Sequence, residues 1–220
     1  MTGPALEMSA VLKGYGALRP LRIRSLVVAA GEAVAIAGID GPGAEVMVNL
    51  ITGASLPDQG EVRVFGRRTA DVADGDEWLA SLDRFGIVSE RAVLLEAATL
   101  AQNLALPLTL EIDPLAEETR GRVRELAAEC GIEDAWLDQP AAALPAAIRI
   151  RGHLARALAL GPRLLLMEHP AAGLAGGEQP AFGMVVRRVA GARGLTVVMI
   201  SKEEEFSRAA AGRRLTLEPA

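Results

Sequence analysis

Between the apolar pentapeptide Ala33 to Ala37 and an apolar helical pattern beginning at Ala44 lies the turn Gly38-Ile39-Asp40-Gly41-Pro42-Gly43. A strand, a glycine-rich turn and a helix in succession gather backbone N–H groups and a helix N-terminus around one point, an arrangement that binds phosphate. The spacing G-x-x-G-x-G follows the first part of G-x-x-x-x-G-K-[ST], with Gly38 and Gly43 as framing glycines, and fits the dinucleotide pattern G-x-G-x-x-G poorly. The positions for the phosphate lysine and the magnesium-binding hydroxyl hold Ala44 and Glu45. That exchange removes a cation and adds an anion. Two like charges at ~4 Å repel by about 4 kcal/mol at an effective dielectric of about 20.

Hydrophobic periodicity shows the elements that must position this turn. Leu21 to Val28, Ala33 to Ala37, Glu61 to Phe65 and Arg84 to Val88 read as strands, and Ala44 to Gly53 reads as a helix stopped by Gly53. From Arg91 to Leu160 the pattern turns helical, over Leu100 to Leu106, Leu115 to Cys130 and Ala146 to Leu160. Strands then alternate with helices again: Leu164 to Met167, helix Gly177 to Ala192, Thr196 to Ile200, helix Glu203 to Ala211 and a last strand Arg214 to Leu217. The expectation is an α/β fold with a mostly parallel sheet covered on both faces. Residues 1–90 and 161–220 form its core and residues 91–160 a helical lobe.

Composition narrows the function classes. The 220 residues carry a formal charge of −5 and seven aromatic side chains, which argues against nucleic acid as a partner. Cys130 is the only cysteine, and the two histidines, His153 and His169, are distant in sequence, which excludes a disulfide framework and thiolate or histidine-rich metal sites. The absence of a long apolar run or a basic-then-apolar start predicts a cytoplasmic chain. Arg149, Arg151 and Arg156 are expected to form a salt-bridged helix face.

Along its whole length the sequence resembles the ATP-binding cassette (ABC) family, the nucleotide-binding subunits of ABC transporters. Tyr15-Gly16 lies where that family carries the aromatic residue that stacks on adenine, and Pro57-Asp58-Gln59-Gly60-Glu61-Val62 is similar to its P-D-S-G-E-V turn. Phe85 to Glu90 resembles the Q-loop strand, with Glu90 at the glutamine. Asn103 to Leu108 resembles the run E-N-L-A-L-P-L. Leu144 to Leu158, beginning Leu144-Pro145-Ala146-Ala147, corresponds to the signature helix, L-S-G-G in its usual form. Pro162 to Ala175 corresponds to the Walker B strand and D-loop, and Met199 to Glu203 to the switch segment. The resemblance implies a P-loop NTPase-like core with an antiparallel β edge and an ABC-type helical subdomain. It also implies ATP with magnesium as cofactor, bound through Tyr15, Gly38, Gly41, Gly43, Ala44, Glu45 and Val46, and dimerisation with itself or another cassette.

The scaffold residues of the family persist, whereas the residues that would touch ATP do not. By the resemblance, Glu168 replaces the aspartate of Walker B, His169 the general base and Lys202 the switch histidine, while Pro145, Ala146 and Ala147 replace the signature serine and glycines. No catalytic residue is intact, and Glu45 and Glu168 are the remaining candidate magnesium ligands. Alanine adds a Cβ where backbone must approach a phosphate, and proline removes a donor. Glu45 has three readings: a helix-start acid favoured by the macrodipole, an anion built into the phosphate cradle, or a metal ligand. Lys202 reads as a solvated lysine or as the partner of Glu45 and Glu168 in an internal ion pair. His169 reads as a satisfied polar residue at a strand end, and Tyr15 as an adenine platform or as packing. Three functions are open: a degenerate cassette docked on a membrane permease at the inner membrane face, a weak ATPase, or a soluble protein binding another anionic ligand.

Overall fold

In the computed structural model, which describes residues 3–89 and 91–217, the chain runs β1 (Pro4–Lys13), β2 (Leu21–Ala29), β3 (Ala33–Ala37), α1 (Gly41–Thr52), β4 (Gln59–Val64), β5 (Arg67–Arg68), α2 (Gly75–Ser81) and β6 (Phe85–Val88). It continues through α3 (Leu100–Ala105), α4 (Glu117–Glu129), α5 (Ala146–Ala157), β7 (Leu164–Glu168), α6 (Gln179–Arg193), β8 (Thr196–Ile200), α7 (Glu204–Ala210) and β9 (Arg213–Thr216). Five strands form a parallel sheet in the order β6-β7-β8-β3-β9. An antiparallel sheet, β2-β1-β4-β5, lies beside it.

The parallel strands are apolar throughout because both faces are covered, and their side chains divide between two cores with a period of two. Ala35, Leu165, Met167, Val197 and Met199 enter one core with the helical segment, α6 and α7. Val34, Ile36, Leu164, Leu166, Val198 and Ile200 enter the other, with α1 and the antiparallel sheet. On the first face Phe182 and Phe206 stack with ring centroids 5.5 Å apart.

Among the elements not expected from the sequence are β1, β5 and α2. β1 lies between β2 and β4 in the antiparallel sheet, burying Ala5, Leu6, Met8 and Val11. The interruptions at Glu7 and at the exposed pair Ser9-Ala10 hide an alternation that the pairing with both neighbours brings out. α2 buries no residue and has no apolar face to detect; the Asp74 carboxylate starts it by accepting from the Glu77 N–H at 2.9 Å.

Parallel order places the turn after β3 and the end of β7 at the same carboxyl edge of the sheet, where such folds bind ligands. β8 lies between them, and with strands ~4.8 Å apart the two points are separated by roughly 10 Å. The segment after β6 passes over this edge and is clamped from below. Asn103, fully buried on α3, accepts from the Leu95 N–H at 2.7 Å and donates to the Leu95 and Thr99 carbonyls, both at 3.0 Å. Arg156 on α5 donates to the Val93 carbonyl at 2.8 Å and also to that of Ala92. Asn103→Leu keeps the side-chain size but strands these buried backbone groups, and is expected to lower the unfolding free energy by about 1–3 kcal/mol. Urea denaturation with an unchanged m-value checks this.

Candidate functional site

The turn after β3 is built for close approach of backbone. Gly38 has φ 86°, and a Cβ there would lie 2.2 Å from the Leu217 carbonyl oxygen, so a glycine is needed to let the chain after β9 pass. Asp40 caps α1 in extended conformation, its Oδ1 accepting from the Gly43 N–H at 2.7 Å. A Cβ on Gly43 would meet that same Oδ1 at 2.7 Å, Ile39 Cγ2 at 2.8 Å and the Tyr15 hydroxyl at 3.3 Å. The space kept open by Gly43 is therefore filled by the chain's own carboxylate and phenol.

The amides that follow Gly41 at the helix start are not free. Pro42 has no N–H, that of Gly43 is bound by the Asp40 side chain, and that of Ala44 donates to the Asp40 carbonyl at 2.8 Å. Tyr15 donates its hydroxyl to Asp40 Oδ1 at 3.4 Å, and burial, followed by the Asp40 charge, raises its pKa above the ordinary tyrosine value. The anion built into the cradle is thus Asp40. Glu45, one of the readings for that role, does not fill it.

Ala44 is fully buried, with its methyl in the core shared by α1 and the antiparallel sheet, and Val46 is half-buried against the same core. Glu45 lies beyond the first turn of α1, which contains no acidic residue, so the macrodipole reading does not hold. Its carboxylate points instead to Arg91, with Nη1 2.5 Å from Glu45 Oε1. The other nitrogen of the same guanidinium, Nη2, is 2.5 Å from Glu168 Oε1 at the end of β7. One arginine spans the gap between the turn helix and the strand end.

The side chains of Arg91 and Glu45 are 46% and 45% exposed, but Glu168 is buried at 9%. An ionised carboxylate at that depth needs a cation. Burial still lifts the Glu168 pKa above the ordinary glutamate value, with Arg91 opposing the shift and Glu45 adding to it.

Of the two readings for Lys202, the solvated lysine agrees with the structure and the ion pair with Glu45 and Glu168 does not: Lys202 is exposed and forms no salt bridge among the described residues, and Arg91 occupies both carboxylates. Glu90 lies outside the described residues. Pro145 and Ala146 are exposed at the start of α5, where Pro145 is the N-cap and gives no side-chain hydrogen bond, and Leu144 is buried behind them. The expected salt bridges on α5 are also replaced: Arg149 and Arg151 donate to backbone carbonyls, the latter to Gly131 at 2.7 Å, as Arg156 does. His169 is not the satisfied polar residue expected, since neither ring nitrogen has a hydrogen-bond partner.

Two residues that matter here went unassigned in the sequence. Asp40 carries a detectable signal, an aspartate directly before a helix. Arg91 carries none, because Glu168 is 77 residues away along the chain. The assembled site holds its own anion at the helix start and its own cation between two carboxylates.

The family model described as ABC transporter matches residues 21–172. The methionine import ATP-binding protein MetN of Brucella abortus (strain 2308) is 31% identical over 217 residues, 99% of this chain and 58% of that protein. The Fe(3+) ions import ATP-binding protein FbpC of Mesorhizobium japonicum is 30% identical over 199 residues, 90% of this chain and 54% of that protein. The chain thus spans little more than half the length of these relatives. A dimeric post-hydrolysis state of the ATP-binding cassette MJ0796 bound to ADP and Pi has a TM-score of 0.80 at 26% identity, covering 97% of this chain and 94% of that one. The cbiO1 protein from Clostridium perfringens shares the fold, with a TM-score of 0.83 at 17% identity over 99% of this chain and 86% of that one.

Removing the bridging cation is expected to destabilise the chain, whereas removing the exposed lysine is not. Arg91→Ala should lower the unfolding free energy at neutral pH by about 1–3 kcal/mol, and Lys202→Ala should leave it within about 0.5 kcal/mol. The pH dependence has a definite sign. A carboxylate with a raised folded pKa favours the folded state when protonated, and that contribution is lost as pH rises through the folded value. Arg91→Ala raises Glu168 further, so the gap between variant and parent should widen as pH rises from the ordinary glutamate value towards neutrality and close again in acid. Thermal melts across that window check it.

Proposed function

Because the chain belongs to the ABC transporter family, we propose that it is a cassette subunit of a membrane transport system that no longer hydrolyses ATP efficiently. It acts as a structural or regulatory partner, docked on a permease at the inner membrane face and paired with a second cassette, either a copy of itself or another chain. The observation that carries this reading is the Glu45–Arg91–Glu168 bridge. Phosphoryl transfer depends on cations placed around the phosphates. Here the lysine position is a buried alanine, and the two carboxylates left as candidate magnesium ligands are both bound to an internal guanidinium.

The residues present do not fit ATP with magnesium. The Gly43 N–H that a phosphate would use is capped by Asp40, and a phosphate arriving there would meet that carboxylate. Asp40, Arg91 and Glu45 do at the carboxyl edge what a bound nucleotide and its metal would otherwise do: they neutralise the helix start and hold α1 to the end of β7. The fold at this edge is then independent of ligand, which suits a subunit retained for its contacts.

A contact surface is present on the clamped segment. Val93 and Leu95 are 68% and 50% exposed, while their backbone is held by Arg156 and Asn103. Exposed apolar side chains on a pinned backbone suit a docking surface. Among the described residues no helix is long and apolar enough to cross a membrane, so attachment through a permease is the reading adopted.

Calorimetry with ATP, with and without magnesium, tests the degenerate-site reading. No binding heat is expected up to about 1 mM nucleotide. Magnesium-dependent binding that disappears in Glu168→Gln would overturn it in favour of a weak ATPase. For the docking surface, Val93→Ser with Leu95→Ser should release the chain from membranes of its source cells while its melting temperature stays unchanged. Retention on the membrane would place the contact elsewhere.

A further inference from the structure

A cavity of about 330 Å³ lies between the carboxyl ends of β6 and β7 and the α5 helix. Its apolar walls are Val88, Leu144, Ile150 and Leu174, and its polar groups include Arg149, His153 and His169. This volume is at the small end of the range for ligand pockets, about 300–1,000 Å³.

The polar groups are poorly served by the protein itself. Both ring nitrogens of His169 and Nδ1 of His153 are buried without a hydrogen-bond partner. Buried polar atoms without partners are rare, and each one calls for a physical reason. His169 also has φ 42°, a left-handed conformation that a non-glycine residue rarely adopts. Its backbone is pinned there by a 2.8 Å bond from its N–H to the Ile200 carbonyl and a 3.1 Å bond from the Ala172 N–H to its own carbonyl. Strain of this kind is concentrated at functional sites.

Charge indicates what would bind. Arg149 makes two long bonds, 3.4 Å each, to the Ala142 and Leu144 carbonyls, which leaves most of its five donors available. Burial, then the nearby charge of Arg156, push the His153 pKa down to about 4 against a hydrogen bond to the Ala92 backbone, and Arg149 adds to the lowering. The proton of the neutral ring serves that bond, so the unpartnered Nδ1 is an acceptor in a positive field. Glu168 also lines the cavity, but its carboxylate is already engaged by Arg91. A metal ion is disfavoured, because among the described residues no three His, Cys, Asp or Glu side chains are grouped to hold one.

We infer that this cavity binds a small monocarboxylate with an apolar body, its carboxylate meeting Arg149 and the His169 imidazole and its body packing on Val88, Leu144, Ile150 and Leu174, with His153 alongside. Such a ligand supplies acceptors to the guanidinium and to the His169 ring and apolar contact to the walls. The cavity adjoins the Glu45–Arg91–Glu168 bridge through Glu168 but does not include the cradle at Asp40 and Gly43.

The chain has only two histidines, so imidazole ring signals in NMR report this cavity directly. Titrating the intact chain with hexanoate, without nucleotide, should shift both histidine signals saturably and raise the melting temperature. The anion should also raise the pH at which His153 titrates. Hexanol and hexylamine should bind at least about tenfold more weakly. Arg149→Gln should weaken hexanoate by a similar factor, and His169→Asn, which tolerates the left-handed backbone, should weaken it while remaining folded. The proposal is overturned if hexanoate shifts neither signal, if hexanol or hexylamine binds as well, or if Arg149→Gln binds hexanoate like the parent. It is also overturned if ATP displaces hexanoate from these two signals, since the cavity would then belong to a nucleotide.

Discussion

A buried carboxylate at the edge of a parallel sheet must have a cation, and in this chain that requirement is met by Arg91. Sheet geometry holds the end of β7 two strands from the turn after β3, roughly 10 Å away. The two terminal nitrogens of one guanidinium link the segments, Nη1 on Glu45 and Nη2 on Glu168. Lysine presents a single charged point and would not reach both carboxylates in this way.

The same logic governs the helix start. A helix N-terminus attracts an anion, and Asp40, fixed in extended conformation before Pro42, supplies it from within the chain. The anion at the helix start and the cation between the two carboxylates are therefore both supplied by the chain itself. The arginines of α5 add a different kind of support, since they grip backbone carbonyls of neighbouring segments. Of these, the Arg156 bonds to Ala92 and Val93 hold the segment carrying Arg91, together with Asn103.

Most of the architecture was legible in the sequence because it follows from local periodicity. The β3 strand, α1 up to Gly53, the helices of the segment after Arg91 and the β7 and β8 strands lie close to where apolar spacing put them. β1 was not legible, because its interrupted alternation becomes meaningful only when two partners pair with it. α2 was not legible either, because a helix with no buried face leaves no periodic trace.

The sequence by itself determined that the turn after β3 has glycines where backbone must approach closely, and that the cationic and hydroxyl side chains next to them are missing. Those are statements about residue types at fixed spacing, and spacing along the chain is all they require. Only the tertiary structure decided which charges meet. Glu45, Arg91 and Glu168 belong to three different segments, and their contact depends on strand order and on the path of the segment after β6. From sequence alone Lys202 was a candidate partner for both carboxylates, and nothing singled out Arg91. Coulomb energy depends on distance in space, and distance in space is what the fold supplies.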